Sequence, residues 1–105
     1  QEGPAGTNSS ANNISTITQS GEFNEAYTYQ QALGAESTVF QSDSGHFADV
    51  DQFGTGGHNS MVTQSGLGGG YGLGNDAFVS QSGTVQQNST ITQGGTGNTA
   101  TVTQN

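Results

Sequence analysis

Neither lysine nor arginine occurs among the 105 residues, and cysteine and tryptophan are equally absent. Without basic side chains the chain has nothing to set against a phosphate backbone or an anionic membrane surface, so binding to either is close to excluded. A P-loop is excluded as well, because its lysine is missing. With no cysteine there is neither a disulfide framework nor a thiolate zinc site. No stretch approaches the roughly 18 apolar residues of a membrane span. Proline occurs once, at Pro4, and hydrophobic residues make up only 28% of the chain.

What is present is glycine, 18 residues of it, and a net charge of −8. Taken alone, that composition cannot bury enough apolar surface to offset the entropy of ordering the backbone. A single thick core is not expected. A repeat changes this conclusion, because stacked identical units replace a thick core with ladders of backbone and side-chain hydrogen bonds.

Such a repeat exists. Glutamine returns at Gln19, Gln30, Gln41, Gln52, Gln64, Gln81, Gln93 and Gln104, with spacings of 11, 11, 11, 12, 17, 12 and 11. Four positions earlier serine and alanine alternate: Ser15, Ala26, Ser37, Ala48, Ser60, Ala77, Ser89 and Ala100. Two positions earlier stand Ile17, Thr28, Val39, Val50, Val62, Val79, Ile91 and Val102. The eight short copies therefore pair into four longer repeats, 13–34, 35–57, 58–86 and 87–105. Residues 1–12 hold the only proline, lack the basic and apolar regions of a signal peptide, and read as a flexible leader with a possible targeting role. The long spacing reflects one glycine-rich insertion at 65–74, expected to bulge out of the stack.

The alternation within each copy is that of a strand with two faces. Strands are predicted at 13–19, 24–30, 35–41, 46–52, 58–64, 75–81, 87–93 and 98–104. The uniform face carries glutamine, serine or alanine, and a β-branched residue. Its fourth member is Asn13, Asn24, Ala35, His46, His58, Asn75, Gln87 or Asn98. Uniformity marks the interior, so these residues are predicted to form inward ladders, with amides stacked on amides. His46 and His58 read as replacements in the asparagine column. The expected fold is all-β: an uncapped β-solenoid of four stacked strand-turn-strand rungs, eight short parallel strands in a cross-β arrangement.

These residues resemble the curlin repeat, Ser-x-x-x-Gln-x-Gly followed by Asn-x-Ala-x-x-x-Gln. It reads NISTITQSGEFNEAYTYQ at 13–30 and NSTITQGGTGNTATVTQ at 88–104. Ala35, His46, His58 and Gln87 depart from its asparagine, and Ala32 and Asp43 from its glycine. The resemblance implies a subunit of extracellular functional amyloid in the biofilm matrix of a Gram-negative-type bacterium, serving adhesion. It further implies secretion through an outer-membrane pore and seeding by a nucleator subunit.

An uncapped solenoid offers a strand edge at each end, and head-to-tail contact between unlike ends produces an open fibre. The growth interface is therefore expected to join Asn13, Ile17, Gln19, Asn24 and Gln30 to Gln87, Ile91, Gln93, Asn98, Val102 and Gln104. Glu36, Asp49, Asp51 and Asp76 fall on the outward face as gatekeeper acids against uncontrolled association. The alternatives are a minor nucleating subunit of the same fibre and an ice-binding solenoid. For the second, Thr-x-Thr pairs are interrupted by Phe40, Met61, Tyr27, Asp49 and Phe78. No triad or paired-carboxylate spacing suggests catalysis, and no cofactor or metal is expected.

Overall fold

The computed structural model describes residues 13–31, 33–66 and 74–105. The leader at 1–12, the centre of the glycine-rich insertion and Ala32 lie outside the described residues. Eight strands follow one another: β1 (Ile14–Gln19), β2 (Glu25–Gln31), β3 (Glu36–Gln41), β4 (Phe47–Phe53), β5 (Asn59–Gln64), β6 (Asp76–Gln81), β7 (Asn88–Gln93) and β8 (Thr99–Gln104). The chain passes to the other sheet at every turn. Odd strands form one four-stranded sheet, β1-β3-β5-β7, and even strands the other, β2-β4-β6-β8. All pairings are parallel. The result is a stacked-strand solenoid with two strands to each rung and about 4.8 Å between rungs.

Register follows the repeat and not the spacing in sequence. Gln41 pairs with Gln64, and Gln52 with Gln81, although one more residue separates the first pair and seven more the second than the 22 between Gln19 and Gln41. A slip of one residue would turn every inward side chain outward, so burial enforces the match. The register on either side of the insertion is kept. Gly66 and Gly74 keep the places that Gly95 and Gly97 hold in the next rung, and Gly74 N donates to Gly45 O at 3.0 Å while Gly97 N donates to Gly74 O at 3.3 Å.

The core is thin. Val39, Val62 and Ile91 from one sheet meet Ala48, Val50, Ala77 and Val79 from the other, with Ile17, Ala26, Ala100 and Val102 packed at the margins. Burying a valine contributes about 1.5–3 kcal/mol, so seven buried apolar side chains alone are a small driving force for a chain this long. The rest of the interior is polar. Gln30, Gln41, Gln52, Gln64 and Gln81 are fully buried, as are His46, His58 and Asn75.

The strands begin one residue later than the alternation predicts. Asn13, Asn24, Ala35, His46, His58, Asn75, Gln87 and Asn98 each immediately precede a strand. They sit at the bend where the chain enters the sheet. Turn backbones approach closely there and in the turns before them: a Cβ placed on Gly21, at φ 96°, would lie 1.6 Å from the Asp43 carbonyl oxygen. Asp43 itself takes a φ of 78° at the equivalent position of the next rung. Its carboxylate Oδ2 accepts the Gly66 N–H at 2.9 Å, a bond that holds an unfavourable conformation in place.

Candidate assembly interface

The inward glutamines form two continuous hydrogen-bonded ladders. In the odd sheet Gln19 Nε2 donates to Gln41 Oε1 at 2.7 Å, Gln41 to Gln64 at 2.8 Å, and Gln64 to Gln93 at 2.9 Å. In the even sheet Gln30 donates to Gln52 at 2.9 Å, Gln52 to Gln81 at 3.0 Å, and Gln81 to Gln104 at 2.8 Å. Every amide points the same way, nitrogen toward the later rung. Each ladder therefore has a polarity, with an acceptor at the first rung and a donor at the last.

The second amide hydrogen crosses between the sheets. Gln41 Nε2 donates to Glu25 O at 2.9 Å, Gln52 to Glu36 O at 3.0 Å, and Gln64 to Phe47 O at 3.0 Å. Gln30, Gln81, Gln93 and Gln104 reach Ile14, Asn59, Asp76 and Asn88 carbonyls in the same manner. One side chain thus fastens its own strand, the next rung and the facing sheet. A buried amide left without partners costs about 2–7 kcal/mol, and glutamine is long enough to satisfy both amide hydrogens here.

The asparagine column works differently from the predicted stack of amides. Asn13 Oδ1 accepts the Ala35 N–H at 2.9 Å, Asn24 Oδ1 the His46 N–H at 3.0 Å, and Asn75 Oδ1 the Asn98 N–H at 3.0 Å. The other end of two of these amides binds turn carbonyls, Asn24 Nδ2 donating to Ser20 O at 2.8 Å and Asn75 Nδ2 to Ser65 O at 3.1 Å, while Asn13 Nδ2 on the first rung is buried without a partner. Placed at the bend before a strand, these asparagines cap the following strand instead, whereas the outward Asn59 and Asn88, which open their strands, do stack, Asn59 Nδ2 donating to Asn88 Oδ1 at 3.1 Å. His46 preserves the capping bond through Nδ1. His58 instead brings Nε2 within 2.8 Å of the Phe53 carbonyl. The sequence pattern placed both histidines in the right column, and the structure gives each of them a different partner.

The residues expected at the growth interface fall on the two end rungs. Asn13, Ile17, Gln19, Asn24 and Gln30 belong to the β1–β2 rung, and Gln87, Ile91, Gln93, Asn98, Val102 and Gln104 to the β7–β8 rung. Among the described residues, each of these four strands pairs on one side only. Gln30 Oε1 is buried without a donor, and Gln87 Oε1 is buried in the same condition. Serine provides a further surprise: Ser15, Ser60 and Ser89 hydroxyls are buried with no partner, while Ser37 Oγ lies 3.5 Å from Thr28 Oγ1.

Glu36, Asp49, Asp51 and Asp76 all point outward. On that face Tyr27, Asp49, Phe78 and Thr101 stand in one column on successive strands. Burial raises the Asp49 carboxyl above its ordinary value; burial and then the Asp49 charge raise Asp51. No group of three or more potential metal ligands occurs among the described residues. No helix there is long and apolar enough to cross a membrane. Comparison with protein-family models, curated proteins and solved structures finds no match to this chain.

Proposed function

We propose that this chain is a structural subunit that polymerises head to tail into a curli-like extracellular fibre. The observation that carries this reading is the polarity of the glutamine ladders. Gln93 and Gln104 have amide hydrogens directed along the stack, and Gln19 and Gln30 have the acceptors that a preceding copy would fill. Joining the β7–β8 rung of one copy to the β1–β2 rung of another continues both ladders without a change of register, aligning Ile91 with Ile17 and Val102 with Thr28. It also gives the buried Gln30 Oε1 a donor, removing a penalty of about 1–3 kcal/mol. Such a contact is heterologous and does not close, so it extends indefinitely.

On this reading the outward acids slow association until rungs are aligned, export runs through an outer-membrane pore, and a nucleator subunit starts growth. The test is assembly of purified chain, with fibre diffraction. Reflections near 4.7 and 10 Å are expected. Val102→Lys, at the half-buried margin of the core, should abolish elongation while leaving the isolated chain folded; Ile91→Lys should also block elongation but at a cost to the fold, because Ile91 lies in the core. A wild-type chain that stays monomeric under the same conditions overturns the reading.

A further inference from the structure

The two outer faces of the solenoid differ sharply. The odd sheet presents Ile14, Phe40 and Met61 among threonines, with Glu36 as its single acid. The even sheet presents Glu25, Asp49, Asp51 and Asp76 interleaved with Tyr27, Tyr29, Phe47, Phe53 and Phe78. The rings are in contact on the diagonals between strands: Tyr27 and Phe47 at 5.8 Å, Phe47 and Phe78 at 5.6 Å, Tyr29 and Phe53 at 5.5 Å between centroids. Asp49 and Asp51 stand between these pairs. A shallow groove of about 100 Å³ runs beside them, lined by Phe78, Ser80, Thr101 and Thr103.

We propose that this acidic and aromatic face docks an extended, arginine-bearing segment of another polypeptide. Four carboxylates lie on one sheet face in a chain with no lysine or arginine, so a fixed cationic side chain to pair with them can come only from another molecule. A second copy of the chain offers no cation and would set like charges together. Successive outward positions on β4 are separated by about 7 Å, and an extended peptide places alternate side chains at the same interval. Guanidinium fits both features of the face: its planar fork pairs with a carboxylate, and its flat surface stacks on an aromatic ring. Phe78, 37% exposed and adjacent to Asp49 across the ladder, is placed for that stacking. Lysine satisfies the charge but lacks the flat surface. The partially desolvated state of Asp49 and Asp51 is consistent with a site that gains by pairing. The inference does not depend on polymerisation, since monomer and fibre display the same face.

The test uses a heptapeptide of alternating serine and arginine and its lysine counterpart, titrated against the full chain at low and moderate ionic strength. The arginine peptide should bind more tightly than the lysine peptide. Asp49→Asn combined with Asp51→Asn should weaken it by about tenfold or more. Glu22→Gln combined with Glu36→Gln removes the same charge from elsewhere and should change binding less than about twofold. Phe78→Ser should erase the preference for arginine, and Tyr27→Ser provides an independent aromatic variant if Phe78→Ser misfolds. Equal losses in the two charge-matched pairs would reduce the effect to net charge and overturn the proposal. So would equal affinity for the two peptides, or displacement of the peptide by equimolar calcium, which would make the face a metal site.

Discussion

His46 Nδ1 accepts the backbone N–H of Asn75 at 3.0 Å, the same bond that Asn75 Oδ1 makes to the N–H of Asn98 one rung later. A ring nitrogen and an amide oxygen are interchangeable here, because the position asks only for an acceptor at that reach. His46→Asn should therefore change stability by less than about 1 kcal/mol, since it also removes the unpartnered buried Nε2. His46→Leu leaves the Asn75 N–H without a partner and should cost about 2 kcal/mol. Denaturant unfolding of the two variants separates them.

Gln52 sits in the middle of its ladder, bonded to Gln30, Gln81, Glu36 O and His58 O. Gln52→Leu keeps the volume and removes every one of these bonds. Gln81 Oε1 then loses its donor inside the core, at a cost of about 2 kcal/mol or more. A lowered unfolding midpoint is expected, and an unchanged one would show that apolar packing alone sustains the stack.

Ser60 presents the opposite case. It is 5% exposed and its hydroxyl has no hydrogen-bond partner. Ser60→Ala should raise stability by about 1 kcal/mol, because a desolvated polar group is removed with little loss of contact. The alanines of the facing column show that the methyl group fits an equivalent position. A drop in the unfolding midpoint would reveal a bond to this hydroxyl in solution.

Asp49 and Asp51 have carboxyls raised above the ordinary value, chiefly by burial. The folded chain then holds more protons than the unfolded chain across that interval. Stability from these groups is present at the acidic end and is lost as pH rises through the raised values. The groups facing them are Tyr27, Tyr29, Phe78 and Ser80 on adjacent strands, with Glu25 and Asp76 on the diagonals. None is cationic, so nothing on this face offsets the trend. Asp49→Asn with Asp51→Asn should raise the unfolding midpoint at neutral pH and flatten its decline between acid and neutral pH. A steeper decline in the double variant would contradict this assignment.

Much of this architecture can be read directly from residue order. The serine–alanine alternation of Ser15, Ala26, Ser37 and Ala48 divides the strands between two sheets, and β-branched residues such as Val39 and Val62 identify the shared interior. The outward columns follow from the same register. Three features are not legible in this way. Asparagine at Asn24 or Asn75 could stack or cap, and what decides is its place at the bend, within reach of a turn carbonyl and of the next rung's N–H. The contacts from Tyr27 to Phe47 and on to Phe78 run diagonally, and a column-by-column reading treats those rings as separate. Phe53 extends β4 by one residue and reaches Tyr29 by the same diagonal route.

By itself the sequence determined the number of rungs, the parallel register and which face of each strand is buried, because these depend on periodicity and a one-residue slip is penalised at every rung. The tertiary structure decided the direction of the ladders. A glutamine in a repeat carries no polarity until its amide must satisfy a neighbour above and a carbonyl across the core at once. That double requirement aligns Gln19 through Gln93 and Gln30 through Gln104 in one sense, giving the two ends of the stack complementary chemistry.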